Sequence, residues 1–237
     1  MTPPPVTVLL PAYNASQFLA EAIASVRAQS FKAWRMLIVD DGSEDDTLTI
    51  AKDSSDADNR ISVLAIQHIG MSAALNIGVG MIKTPWIARL DADDRMEPDR
   101  LLKQLTVAVV GKYAVLGTAT REVIYSTGSS RVVLYPETDK ECSASLSGIR
   151  ARSPFAHSSV LMAREAVLSV GNYDMRWDLC QDLALFMRIA KATIWKMGNL
   201  TAPLTTRFIH PGQRSARTWQ RRWDTWNIIL REGLWRG

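Results

Sequence analysis

The chain has 237 residues, 47% of them hydrophobic, and 28 lysines and arginines against 24 aspartates and glutamates give it a formal charge of +4. That length and apolar content suffice to bury one large α/β core and exclude a disordered chain or a fibre. Residues 213–237 hold six arginines against Asp224 and Glu232, so the whole net charge belongs to the tail; the rest has no basic stripe, and nucleic acid is excluded as a partner.

The opening MTPPPVTVLLPAYN lacks the basic region and cleavage site of a signal peptide, and no apolar run reaches the ~18 residues of a membrane span, so a cytoplasmic protein is expected. VTVLL, residues 6–10, reads as a buried first strand that ends at Pro11. Ser16 is placed to cap a helix in which Phe18, Leu19, Ala22, Ile23 and Val26 recur at helical spacing as far as Gln29. RMLIVDDGS is a second strand running into a turn, and Ser43 with Asp46 resembles a capping box that opens a helix over 44–52. ISVLAI at 61–66 is a third strand, MSAALNIGVGMI at 71–82 a third helix, and WIARL at 86–90 a fourth strand. Strands alternating with helices in this way predict an α/β fold with a doubly wound, mostly parallel sheet flanked by helices, in which ligands bind beyond the carboxyl ends of the strands.

Pro98 suits the first turn of a helix running to Val109. Beyond it, YAVLGTATREVIYS and RVVLY read as strands separated by TGSS; helices are expected at 164–169 and from Asp182 to Ala190, and two further strands at TIWKM and LTTRFI. No linker interrupts residues 1–212, which are taken as one domain with a tail over 213–237. Cys142 and Cys180 have neither zinc-ligand spacing nor the density of a disulfide framework and read as free thiols.

Two acidic clusters fall at strand ends, Asp40 with Asp41 and Asp91 with Asp93 and Asp94, which points to one shared site. Three carboxylates within four positions repel one another unless a cation or donor groups arrive. Asp91 and Asp93, two apart, face one way on extended backbone. Such a pair suits a hard divalent ion, Mg²⁺ or Mn²⁺, with positions left open for phosphate oxygens. The other reading is a solvated acidic turn whose Asp94 or Glu97 serves the amides of the next helix.

VTVLLPAYNASQFLAEAIASVRAQSF, RMLIVDDGSEDDT and GMSAALNIGVGMIKTPWIARLDADDRMEPDRL, followed by HSSVLMAREAVLSVGNYDM, QDLALFMRIA and FIHPGQRS, resemble the family 2 glycosyltransferases of the GT-A fold over residues 5–215. The resemblance implies a nucleotide-sugar half over 1–97, an acceptor half over 98–212, and an inverting, metal-dependent transfer from a nucleotide sugar, with UDP the expected nucleotide, to a saccharide or lipid-linked acceptor in cell-surface glycan synthesis. It implies that Pro11, Ala12 and Tyr13 offer backbone and an aromatic face to the nucleotide, and that Asp40 accepts from base or ribose. Asp91 is implied for ribose or metal, Asp93 for metal, His210 for metal or diphosphate, and Asn76, which with Gly78 matches the family's A-R-N-x-G segment, for binding the nucleotide sugar. Asp182 is implied as the general base that deprotonates the acceptor hydroxyl; a helix cap is its structural alternative. His157 is placed near the acceptor or in a structural hydrogen bond, and Asp41 with Ser43 either in shaping the turn and capping the helix or in contact with the ligand. Two positions depart from the family pattern: Leu75 stands where arginine is common, and Gln181 where glutamate is usual.

In the tail, Trp219, Trp223, Trp226, Leu230 and Leu234 fall on one helical face, with Arg217, Arg221, Arg222 and Arg231 on others. A basic helix of this kind either lies in a membrane interface, at the inner face of the cell membrane for a cytoplasmic enzyme, or packs its stripe on the catalytic domain or on a second copy in a homo-oligomer. A sugar-phosphate nucleotidyltransferase is disfavoured because PAYNAS stands where a basic, glycine-rich loop is needed, and a dinucleotide oxidoreductase because GVGMIK lies within a helix and lacks a third glycine. A catalytically silent nucleotide- or glycan-binding module is the remaining alternative, against which the joint presence of Asp91, Asp93 and Asp182 argues.

Overall fold

The computed structural model describes residues 5–148, 151–177, 179–192, 195–213 and 218–233. Its centre is β1 (Val6–Ala12), flanked by β2 (Trp34–Asp40) and β4 (Trp86–Arg89), with β3 (Ile61–Ala65) outside β2, all parallel. Alternation along these strands explains their unbroken apolar sequence. Val6, Val8, Leu10 and Ala12 of β1 face α1 (Ser16–Arg27), packing with its Leu19, Ala22, Ile23 and Val26, whereas Leu9 faces α3 (Met71–Met81) and packs with Leu75 and Val79. Each of these buried valines, leucines and isoleucines contributes about 1.5–3 kcal/mol relative to exposure. The position where the family commonly carries arginine, Leu75, thus lies in the core and is completely buried. Gly78 brings α3 close to β1, since a Cβ there would fall 2.5 Å from Leu9 Cδ1.

The first strand runs past its expected end at Pro11 to Ala12. Pairing with β4 stops at Leu9 and Arg89, while pairing with β2 continues to Ala12 and Asp40. The donor that Pro11 lacks would point to the side where β4 has already turned away, so no ladder bond is lost. This divergence opens the crevice at the strand ends.

Two helix starts differ from expectation. Helix α1 begins at Ser16 with Ala15 as its cap residue, and α2 (Thr47–Ala57) begins after Asp46 rather than at Glu44. The two loops serve each other instead: Asp45 accepts from Ser16 N and Thr47 N, Thr47 Oγ1 accepts from Ala15 N at 2.7 Å, and Ser43 Oγ accepts from Asn14 N at 3.0 Å.

The second half completes the same sheet. After β5 (Asp94–Met96) and α4 (Arg100–Gly111), the long β6 (Tyr113–Ile124) carries the antiparallel β7 (Ser130–Val133). Then α5 (Asp139–Ser145) and a 3₁₀ turn (His157–Ser159) lead to β8 (Leu161–Ala163), which inserts antiparallel between β4 and β6. Next come α6 (Arg164–Ser169), α7 (Gln181–Ala192) and β9 (Lys196–Ile209). The two strands expected at TIWKM and LTTRFI are one, β9, which follows β6 in parallel; register shifts around Thr118 to Thr120 accommodate Pro203, and residues 193–194 lie outside the described ones. Among the described residues six of nine strands, β1 to β4, β6 and β9, share one direction. The mostly parallel α/β sheet expected from the sequence is present, with both halves in one sheet.

The tail forms α8 (Thr218–Ile228) and a π turn (Ile229–Gly233), and its Ile228 and Ile229 are buried in the core beside α7. Arg217 and Leu234 lie outside the described residues, as do the side chains of Trp219, Arg221 and Arg222. No described helix is long and apolar enough to cross a membrane.

Candidate active site

The β2 end is built from backbone donors meeting carboxylates. Asp41 accepts from Ile69 N at 2.9 Å and Gly70 N at 3.0 Å, tying the loop before α3 to the DDGS turn. Gly42 makes that contact feasible: its φ is +72°, and a Cβ would fall 2.6 Å from His68 N. Asp41 and Ser43 therefore shape the turn. Asp40 is 1% exposed; its Oδ2 accepts from Ser43 N at 3.3 Å, and its Oδ1 is buried with no hydrogen-bond partner among the described residues. Tyr13 is 44% exposed and stacks on His68 with ring centroids 4.0 Å apart. Pro11 and Ala12 are buried beneath it.

The β4 end is crowded with charge. Oxygens of Asp91, Asp93 and Asp94 all lie within 4.8 Å of one another. Asp91 accepts from the Arg89 guanidinium, and its amide donates to Ser158 Oγ at 3.0 Å. Burial opposes ionisation of Asp91, yet Arg89 and the other nearby positive groups hold its carboxyl below the usual range. Burial and then Asp91 push Asp93 up, and burial with both neighbours pushes Asp94 up further. The pairing of β5 with β9, Asp94 opposite Arg207, carries the segment after β9 to this corner, so that His210 Nε2 sits 3.1 Å from Asp93 Oδ2. Crowded oxygens partly freed from cations are the donor set of a divalent-ion site with room for further ligands.

A cleft of about 790 Å³ brings Asp91, Asp93, Asp94, His157 and His210 together with Asp182, in the first turn of α7. Gln181 is 8% exposed, lines the same cleft, and has an Oε1 with no hydrogen-bond partner among the described residues. His157 bonds Tyr173 Oη through Nε2 at 2.8 Å, and burial followed by Arg89 lowers its pKa to about 3, so the ring is neutral. It is a structural histidine that also lines the cleft.

Asn76 is tied into the fold. Its Nδ2 donates to Tyr173 O at 2.8 Å and its Oδ1 accepts from Tyr173 N at 2.9 Å, so its carboxamide fastens α3 to the loop before α7.

Sequence reasoning did not single out Arg89, Ser158, Arg100 or His68. Arg89 is completely buried and reaches Asp91 as well as Met71 Sδ at 3.9 Å. Its position inside an apolar strand two residues before an acid was the available signal. Arg100, also completely buried, donates to the carbonyls of Ser158, Arg89 and Val160 and so fixes β4 and the 3₁₀ turn behind the acids. No sequence pattern marks that long-range arrangement.

Comparison with known proteins follows the same lines. The model of glycosyl transferase family 2 matches residues 7–149. The chain belongs to glycosyltransferase family 2. As a family 2 member it is 32% identical over 193 residues to the putative glycosyltransferase EpsE of Bacillus subtilis, covering 78% of this chain and 66% of EpsE. It is 37% identical over 103 residues to the putative teichuronic acid biosynthesis glycosyltransferase TuaG of the same organism, covering 43% of this chain and 41% of TuaG. The chain therefore spans less than two thirds of these relatives. Its fold is similar to that of S. aureus TarS 1-349 in complex with UDP-GlcNAc (TM-score 0.73, 16% identity, 90% of this chain and 61% of that one). It is also similar to that of the mannosyltransferase PcManGT from Pyrobaculum calidifontis in complex with GDP-Man and Mn²⁺ (TM-score 0.71, 16% identity, 97% and 65%). The GT-A fold expected from the sequence is the fold of these neighbours.

Proposed function

We propose that the protein is an inverting, metal-dependent glycosyltransferase that takes its sugar from a UDP-sugar and serves the synthesis of a cell-surface glycan. The observation that carries this reading is the meeting of Asp182 with Asp91, Asp93 and Asp94 in one cleft. Asp182 takes the proton of the acceptor hydroxyl as that oxygen bonds the anomeric carbon; the bond from that carbon to the diphosphate breaks, and its electron pair leaves with the nucleotide, inverting the centre. Asp91 and Asp93, with His210 beside them, would hold Mn²⁺ or Mg²⁺, which when bound offsets the charge of the diphosphate. Arg89 keeps Asp91 ionised for that purpose. Asp40, with its unpartnered buried oxygen, accepts an N–H or O–H of the nucleoside, and Tyr13 offers it an open ring.

The nucleotide and the product class draw support from relatives. TarS was solved with UDP and with UDP-GlcNAc, and TuaG is named for teichuronic acid biosynthesis. The acceptor is a saccharide or lipid-linked hydroxyl. The test is a thermal-shift panel of UDP, GDP, CDP and dTDP with and without Mn²⁺, on the native chain and on Asp93→Asn. A Mn²⁺-dependent shift with UDP alone, lost in Asp93→Asn, is expected. A shift with GDP alone replaces the donor, and a native-sized shift in Asp93→Asn removes the metal site.

A further inference from the structure

Helix α8 divides into two faces. Asp224 and Ile228 turn inward: Asp224 Oδ2 accepts from Leu179 N at 3.3 Å, and Ile228 is completely buried. The opposite face carries Trp223, 63% exposed, Trp226, 49% exposed, and Leu230 of the π turn, 43% exposed. Steps of three and four residues set these three side chains within one narrow sector. Packing on the catalytic domain, one of the alternatives for the stripe, is therefore met by the other face of the helix.

Two large indoles and a leucine in water are an interaction surface, and the charge of the segment names the occupant. Residues 213–237 carry six arginines against two acids, whereas the preceding 212 residues sum to zero. Arg231 in the π turn is exposed. A second copy of this chain would bring +4 against +4, whereas an anionic surface is attracted, and tryptophan is the side chain suited to the headgroup level. We propose that α8 docks this protein on an anionic phospholipid surface, with Trp223, Trp226 and Leu230 entering the acyl boundary.

The position of the helix gives the docking a use. Thr225, on the inner side of α8, lines the cleft with Asp182, and Cys180 Sγ lies 3.4 Å from Thr225 Oγ1. The cleft and the docking face are thus separated by about one helix diameter, ~10 Å. A lipid-linked acceptor in that surface would present its hydroxyl to Asp182; this consequence, unlike the docking itself, rests on the transferase reading.

The experiment is co-flotation of the full chain with phosphatidylcholine vesicles with and without phosphatidylglycerol, followed by indole fluorescence. Binding and a blue shift are expected only with the anionic lipid, with loss in 1 M salt beyond the range of screened attraction. Trp223→Ser with Trp226→Ser should weaken binding roughly tenfold or more, and Arg231→Gln about fivefold, each at unchanged melting temperature. Equal binding to neutral vesicles, no binding to either, or a dimer by sedimentation that the tryptophan pair dissolves would overturn the proposal. Binding is read without turnover, so its failure leaves the transferase reading standing.

Discussion

Two groups of carboxylates lie at neighbouring strand ends and are treated in opposite ways. In the loop after β2, Asp41 and Asp45 accept from backbone amides at 2.9–3.1 Å. Burial works against the charge of Asp45, but hydrogen bonds from Thr47 and Ser16 prevail and its pKa falls to about 2. At the end of β4, Asp93 and Asp94 are pushed up by burial and by their neighbours, although His210 and Arg207 stand beside them. The first group is complete without a ligand and serves the shape of the loop. The second holds unfavourable charge in place, which is the signature of a site made for a partner.

The largest effect that separates the groups is on turnover. Asp182→Asn should leave nucleotide binding within about twofold and lower transfer by about 10²–10⁴, the range for loss of a general base. Single-turnover transfer with equilibrium nucleotide titration measures both. Near-native transfer would reduce Asp182 to a helix cap and detach α7 from the chemistry.

Much of the first group was legible in the sequence because its logic is local. The apolar runs VTVLL and RMLIV and the glycine in DDGS each declare a strand or turn within a few residues. The boundary of α1 was not legible, since the amides at its start are met by side chains some 29 to 32 positions away, and the start of α2 moved because Asp45 accepts from Thr47 N while also accepting from Ser16 N across the two loops. The acids of the second group were visible, but their support was not: Ser158 reaches the site in the turn before a β8 inserted between β4 and β6, where Arg100 of α4 bonds its carbonyl, and nothing near position 91 announces it. The fastening of Asn76 to Tyr173 was hidden for the same reason, the two being 97 residues apart. Arg89 was readable in principle, and a buried arginine that reaches Met71 of α3 shows that a cation is kept near the acids although the helix carries none at position 75.

Arg89 is therefore the place to press the second group. Arg89→Met removes the cation and leaves Asp91 beside two other acids. Loss of one partner of a buried pair costs 3–5 kcal/mol, and a value of about 3 is expected because the Asp91 side chain is 31% exposed. Adding Asp91→Asn should recover part of it, a coupling that denaturant unfolding of the four-member cycle reads directly. Independent, additive losses would show that Arg89 serves packing alone.

The corresponding change in the first group is Gly42→Ala. A methyl at φ +72° meets His68 N, and the cost should be about 2 kcal/mol, without any dependence on metal. Since Asp41 holds the same loop, affinity for nucleotide should fall with stability. Unfolding with and without Mn²⁺ checks this; a loss that Mn²⁺ reverses would mean that the two strand ends act as one unit.

The smallest effect is on the pH dependence of stability, and here the two groups differ in sign. Asp45 and Asp58, the latter lowered to about 2 chiefly by its Arg60 hydrogen bond, contribute stability that is present above 3.8 and lost as pH falls towards 2. Asp93 and Asp94 have folded values above 3.8, so the folded protein keeps their protons longer than the unfolded chain does. Stability then declines as pH rises from 3.8 through those raised values, and is level beyond them. Melting temperatures over this range should show a rise, then a shallow decline. Asp91, where burial is outweighed by Arg89 and the other nearby positive groups, sides with Asp45 and Asp58. Mn²⁺ stabilises the ionised acids of the second group, so it should abolish the decline and leave the part of the rise that comes from Asp45 and Asp58. A decline that persists at saturating Mn²⁺ would mean that the crowded acids are not the ligands, and that the negative charge at the end of β4 has some other counterpart.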